Sequence, residues 1–309
     1  MTTLLVSHTS FLDHDTGPHH PESPARLKSV LKGLDAAAFA GLVRAEARSA
    51  TAAEVALAHP GHFLDHLEAA IPAQGLSHLD GDTVVSPGSG EAMARAAGAV
   101  IQAVDAVAGK TATNAFCAVR PPGHHAESDR SMGFCLINNV AVGALHARAT
   151  HGFNRVAVID IDVHHGNGTQ EIFWHDANAF YASTHQFPFY PGSGARGERG
   201  AHSNVVNVPL AAGSGSDVFR GGLSDEILPA LMAFRPDFIF ISAGFDAHRD
   251  DPLGGLALSE TDFAWATAAI MNVARSVCGG RVVSVLEGGY NLDALKDCAV
   301  AHVQTLKDH

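Results

Sequence analysis

Apolar positions along this chain fall into two alternating rhythms. From residue 115 onward, short β-branched or aromatic runs recur at 115–119, 156–160, 179–184, 205–208, 238–242 and 282–286. Runs this short and this largely apolar predict buried parallel strands. Between most of them the spacing shifts to three and four residues, which predicts helices over 136–150, 217–234 and 259–277. Leu258 and Phe263 flank Ser259 as a hydrophobic staple would. The first third adds a strand at 3–7 and helices over 25–39, 52–58, 61–70 and 91–108, the last with Gly109 as its stop. The Gly- and Ser-rich segment 73–90 reads as loop. Alternation of this kind predicts an α/β fold: a mainly parallel sheet covered by helices on both faces. With no internal repeat and no linker, the expectation is a single domain over residues 1–309.

Composition narrows the function classes. Hydrophobic residues are 46% and charged residues 17%, so the chain is globular. A net charge of −12 argues against nucleic acid, whose phosphates need a basic surface. The start, Met1 to Phe11, lacks a basic n-region, and the helical run 97–108 is interrupted by Gln102 and Asp105, so neither a signal peptide nor a membrane span is expected. Cys117, Cys135, Cys278 and Cys298 form no CxxC pair, and a reducing cytoplasm is the expected compartment. A homo-oligomer is compatible with the sequence, which leaves the oligomeric state open.

The chemistry sits where the strands end. After 155–159 the chain reads Asp160-Ile161-Asp162-Val163-His164-His165-Gly166-Asn167-Gly168. In extended backbone, alternate side chains share a face, so Asp160, Asp162 and His164 project together. Their O and N atoms are the donors that zinc takes, and three protein ligands leave a position for water. The bland alternative is a polar loop, but so many ionisable groups behind an apolar strand are costly to bury unpaired. Three further clusters follow strands in the same way: Arg120-Pro121-Pro122-Gly123-His124-His125, Ala243-Gly244-Phe245-Asp246-Ala247-His248 and Glu287-Gly288-Gly289-Tyr290. Open α/β sheets bind ligands outside the carboxyl ends of their strands, so all four clusters can share one crevice.

Roles follow from residue type. Asp162 and His164 hold a metal, with Asp246 as the third ligand from a neighbouring strand. His124 and His125 suit proton transfer with an activated water. Asp160 can orient one of them and Asn167 the other. Tyr290 can donate its hydroxyl to a developing oxyanion, or it is an ordinary hydrogen-bonded core tyrosine. The two histidines could likewise be surface residues on a Pro-Gly turn. Asp250 and Asp251 read as loop carboxylates ahead of Pro252.

These residues, with His20-Pro21-Glu22-Ser23-Pro24-Ala25-Arg26-Leu27, Ala126-Glu127, Gly133-Phe134-Cys135 and the stretch from Asp246 to Gly255, resemble the histone deacetylase superfamily. The likeness is strongest to its class II and bacterial amidohydrolase-like branch, and it runs in order over nearly the whole chain. It implies an arginase-like single domain with a sheet of about eight strands. It also implies zinc on Asp162, His164 and Asp246, with His125 as general base and acid. His124 paired with Asp160 becomes an electrostatic partner, and Tyr290 polarises the scissile carbonyl. Asn167 stands where class I members carry aspartate. The substrate channel would be lined by Gly123, Phe134, Tyr190 and Leu253, with Phe common at the position of Tyr190. A structural potassium would use Asp160, Ser183, Thr184 and the carbonyls of Asp162 and His164. Arg26 would lie behind the zinc along an internal exit path.

The activity implied is zinc-dependent hydrolysis of an acyl amide. An acylated lysine peptide is the first candidate substrate and a small acylated amine such as an acetylpolyamine the second. A catalytically silent acyl-ligand binding protein and an arginase-like manganese hydrolase are weaker readings, because both histidines, all three ligands and Tyr290 are present. Polyamine-selective relatives carry an acidic gatekeeper where this chain resembles lysine deacetylases with Leu253. The net charge of −12 pulls the other way, since it would steer polycations.

Overall fold

Seven of the apolar runs form strands within two residues of the expected bounds. The computed structural model describes residues 2–309. Its strands are β1 (Thr3–Ser7), β2 (Val43–Glu46), a small hairpin of β3 (Ser77–His78) and β4 (Val84–Val85), β5 (Asn114–Cys117), β6 (Val156–Asp160), β7 (Ala179–Gln186), β8 (Val205–Leu210), β9 (Phe238–Ala243) and β10 (Val282–Leu286). Eight of them build one sheet in the order β2-β1-β5-β10-β9-β6-β7-β8, every neighbouring pair parallel. All residues of β6, β9 and β10 are buried, as a sheet covered on both faces requires.

The helices are α1 (Pro24–Leu34), α2 (Ala52–Val55), α3 (Gly61–Ala70), α4 (Ser89–Ala108), α5 (Asn139–His151), α6 (Asn167–Phe173), α7 (Ser216–Gly222), α8 (Leu228–Phe234), α9 (Glu260–Cys278) and α10 (Leu292–Asp308). α4 packs along α5 on one face of the sheet, while α1, α10 and α9 pack side by side on the other. The Ser259 cap holds as expected: Ser259 and Asp262 form a capping box, and Leu258 and Phe263 are fully buried beside it. A cap of this kind contributes about 1 kcal/mol.

Several elements depart from the sequence reading. β2, Val-Arg-Ala-Glu, is an exposed edge strand with no apolar run to reveal it. The helix expected over 25–39 ends at Leu34, and residues 37–39 form only a short 3-10 turn. The helix expected over 217–234 is split by a π-turn at Leu223–Ile227, just before Pro229, which has no N–H to continue the ladder. α10 was not foreseen because its buried stripe includes Cys298 and His302 rather than aliphatic residues alone. His302 is a core histidine, 2.6 Å from Thr267 Oγ1 and 2.7 Å from Ser284 Oγ. All four cysteines are free and buried, and no helix among the described residues is long and apolar enough to cross a membrane.

The sheet order does one thing for function. β5, β10, β9 and β6, whose carboxyl ends carry the four polar clusters, are consecutive neighbours at its centre.

Candidate active site

The loop after β6 and the loop after β9 face each other across that central edge. Asp162, His164 and Asp246 bring one donor atom each within 4.8 Å of the others. His164 Nδ1 lies 3.2 Å from Asp162 Oδ1 and 3.1 Å from Asp246 Oδ2. Backbone N–H groups take the remaining oxygens: Gly288 donates to Asp162 Oδ2 at 2.8 Å and Val163 to Asp246 Oδ1 at 2.8 Å. The carboxylates fit only because glycines adjoin them. A Cβ at Gly244 would stand 1.9 Å from Asp162 Oδ2, and one at Gly288 would stand 2.1 Å from Asp246 Oδ2.

Two fully buried carboxylates this close are an electrostatic problem. Burial and the neighbouring Asp162 push the Asp246 carboxyl up to about 7. Burial opposes ionisation of Asp162 too, yet His124 and His164 hold its pKa below the usual range. Two buried carboxylate oxygens and the nitrogen of His164, which lines a cavity, form a donor set that a divalent transition metal would neutralise and bridge. The residues therefore fit such an ion.

His124 and His125 stand beside this group with ring centroids 4.0 Å apart. They have different partners. His124 Nδ1 is 3.0 Å from Asp160 Oδ2, whereas His125 Nδ1 is 2.8 Å from the amide oxygen Asn167 Oδ1. Burial disfavours charge on either ring. Asp160 and Asp162 overcome this for His124, raising its pKa to about 10. His125 has no carboxylate partner, and burial plus the His124 and His164 imidazoles push its pKa well below the ordinary value. The outcome is one cationic and one neutral imidazole. An amide oxygen only accepts, so His125 Nδ1 carries the proton and Nε2 has a free lone pair.

His125, His164, Phe134, Tyr190, Leu253 and Tyr290 line one cavity of about 440 Å³. The Phe134 and Tyr290 rings meet edge to face at 5.8 Å, and Tyr190 packs edge-on to His125 at 5.1 Å. The same cavity is lined by residues that the sequence did not single out. Phe189 stacks on His164 at 5.3 Å, and Gln186 and Asp82 complete the wall. Asp82 belongs to the turn between β3 and β4, inside the stretch expected to be loop. Gly123 does not line the cavity. It is buried against Asn139, where a Cβ would meet the Asn139 nitrogen at 2.5 Å.

His165 points away from the metal group, toward Ser193 Oγ at 2.8 Å and Gln170 Oε1 at 3.0 Å. Asp251 is no free loop carboxylate. It is buried and accepts from the N–H groups of Tyr290 at 2.6 Å, Asn291 at 3.1 Å and Leu253 at 2.9 Å, so it sets the Tyr290 loop against the Leu253 loop. Asp250 does remain exposed. Ser183 sits opposite Asp160 in the β6–β7 register, and the neighbouring Thr184 Oγ1 is buried without a partner.

Glu287, Glu22 and Arg120, all inside the recognisable motifs, had no assigned role. Glu287 is buried and accepts from the N–H groups of Gly123 at 2.7 Å and His124 at 3.1 Å, tying the histidine loop to β10. Glu22 is buried between two guanidiniums, with Arg120 Nε at 2.5 Å and Arg26 NH1 at 3.0 Å. Arg26 also donates to the carbonyls of Gly289, at 2.6 Å, and Glu287, and its guanidinium lies 4.9 Å from the Tyr290 ring centroid. For Glu22 and Arg120 the available signal was a charged side chain next to a proline; nothing of the kind marked Glu287.

Comparison with known proteins shows the family. The histone deacetylase domain family matches residues 20–306. A histone deacetylase-like amidohydrolase of Pseudomonas aeruginosa is 40% identical, over 93% of this chain and 76% of its own. An uncharacterized protein of Synechocystis is also 40% identical, over 99% of both chains. The crystal structure of the HDA15 HD domain superposes with a TM-score of 0.92 at 35% identity, covering 98% of this chain and 88% of that one. With its eight-stranded parallel sheet between helices, the chain belongs to the histone deacetylase family of amidohydrolases.

Proposed function

We propose that this protein is a zinc-dependent hydrolase that removes acetyl or other acyl groups from lysine side chains. The observation that carries the reading is the meeting of Asp162, His164 and Asp246 with the neutral His125 and with Tyr290 around the foot of one aryl-walled cavity. Held by those three residues, zinc would bring the pKa of a water toward neutrality and polarise the acyl oxygen.

The remaining chemistry belongs to the chain. His125 Nε2 takes a proton from the attacking water while Asn167 fixes the ring through Nδ1. The Tyr290 hydroxyl donates to the oxygen of the tetrahedral centre as negative charge develops there. His125 then returns its proton to the departing amine. It is a good acid at that moment because Asn167 gives its imidazolium no counter-charge. His124, cationic through Asp160, adds positive potential without exchanging protons. A potassium ion on Asp160, Ser183 and Thr184 is supported by the unpartnered Thr184 hydroxyl, an oxygen suited to a hard cation.

Asp82 favours a second reading, an acetylpolyamine deacetylase, because it places a carboxylate on the wall of the same cavity. Leu253, also on that wall, opposes it with apolar contact. The wild type is expected to turn over an acetyllysine peptide with higher kcat/KM than N-acetylputrescine or acetylspermidine, and Leu253→Glu should shift the ratio toward the polyamines. Preference of the wild type for polyamines would promote the second reading. Zinc itself is tested by Asp246→Asn, which should lose its tightly held metal and its turnover together; full retention of zinc would defeat the ligand assignment.

A further inference from the structure

Away from the cavity, α4 and α5 run side by side and carry a second group of metal-type donors near their carboxyl ends. Asp105 comes from α4, and His146 and His151 from α5, with one donor atom of each within 4.8 Å of the others. Both imidazoles present Nε2 to the same carboxylate oxygen, Asp105 Oδ1, at 2.8 Å for His146 and 2.7 Å for His151. The His146 ring is buried. His151 stands at the exposed end of α5, just before the left-handed Gly152 cap.

We propose that Asp105, His146 and His151 form a second site, structural rather than catalytic, for a first-row divalent transition metal. The competing account is a hydrogen-bonded cluster in which two N–H groups share one oxygen. Three features favour the metal. The N, N, O donor set suits zinc or its neighbours and not calcium or magnesium, which take oxygen. Three protein ligands with His151 and Asp105 partly open to solvent leave a fourth position for water. Thr150 Oγ1 lies 3.2 Å from His146 Nδ1, where it can accept that N–H and so orient Nε2 as a ligand.

The adjustment needed is small. Donors around a tetrahedral ion with bonds of about 2.0–2.1 Å sit roughly 3.3 Å apart. The present N···O separations must therefore open by about half an ångström, which the exposed His151 side chain at the helix end and the partly exposed Asp105 side chain can supply together.

The site would brace α5. That helix begins at its Asn138 cap, and Asn138 and Asn139 hold the histidine loop through the carbonyls of Ala126 at 3.1 Å and Pro121 at 3.0 Å. A metal bridging α4 to the far end of α5 would thus steady the rod on which that loop rests.

The test is metal stoichiometry. Wild-type protein, His151→Ala and Asp105→Asn are each dialysed against the same micromolar excess of Co2+, and bound cobalt per chain is measured. Both variants are expected to bind one equivalent fewer than wild type, and added Co2+ should raise their melting temperatures less. The difference between wild type and variant does not depend on the reading of the catalytic site, which is common to all three proteins. Equal cobalt content in wild type and both variants would leave only a hydrogen-bonded cluster and overturn the proposal.

Discussion

In the His125→Ala variant, turnover of the best acyl substrate is expected to fall by roughly 10²–10⁴-fold while metal content and melting temperature stay close to wild type. The ring is neutral, its Nε2 faces the cavity, and none of its hydrogen bonds tie strands together. Removing it takes away proton transfer and little else. Tyr290→Phe should cost about 10²–10³-fold, chiefly in kcat, because the hydroxyl matters most once the carbonyl becomes an oxyanion. The phenyl ring would keep its contacts with Phe134 and the Arg26 guanidinium. Metal analysis beside steady-state kinetics decides the matter: near wild-type turnover in both variants would refute the shared mechanism.

Glu22→Ala is expected to damage the fold more than any substitution in the cavity wall. Removing this carboxylate leaves Arg26 and Arg120 buried as unpaired cations, a loss on the order of 3–5 kcal/mol. For a chain of this size that lowers the melting temperature on the order of 10 °C. The same residue sets an acid limit. Burial would raise the Glu22 pKa, but the Arg120 and Arg26 guanidiniums hold it at about 2, below its ordinary value of 4.5. A carboxyl with a depressed folded pKa contributes stability that is fully present above the unfolded value and is lost as pH falls through the folded one. Wild-type stability should therefore decline between about pH 4.5 and pH 2, and Glu22→Gln should be less stable at neutrality but lack this part of the decline. Denaturation curves at several pH values check both statements. A Glu22→Ala protein with wild-type melting temperature would show that the triad is energetically idle.

Much of the site could be read from the sequence because its residues lie just beyond apolar strands. The run from Val156 to Asp160 is fully buried, and the alternation Asp160, Asp162, His164 then delivers two of the three proposed ligands. Asp246 and Tyr290 were recoverable for the same reason, following β9 and β10. What stayed hidden is defined by partners far away in sequence. Glu22 gains its role from Arg120, 98 residues on, and Asp251 from the N–H of Tyr290, 39 residues on. Asp82 reached the cavity wall through a hairpin whose two-residue strands are too short to have a period. The edge strand β2 had no buried face to announce it, and α10 buries a cysteine and a histidine where a hydrophobic pattern looks for leucine.

The contiguity of β5, β10, β9 and β6 also bears on how this protein can vary. Their loops start about 4.8 Å apart because neighbouring strands are hydrogen-bonded at that spacing. The coarse layout of the reacting groups is thus ruled by the pitch of the sheet. Lengthening the segment between β3 and β4, or the surface beyond Pro252, reshapes the rim and the molecules admitted there without moving that layout. A slip of β9 by one residue against β6 would carry Asp246 out of reach of Asp162 and turn every β9 side chain to the opposite face. New specificities are therefore accessible through the rim, while the buried ladder beneath it has almost no freedom to drift.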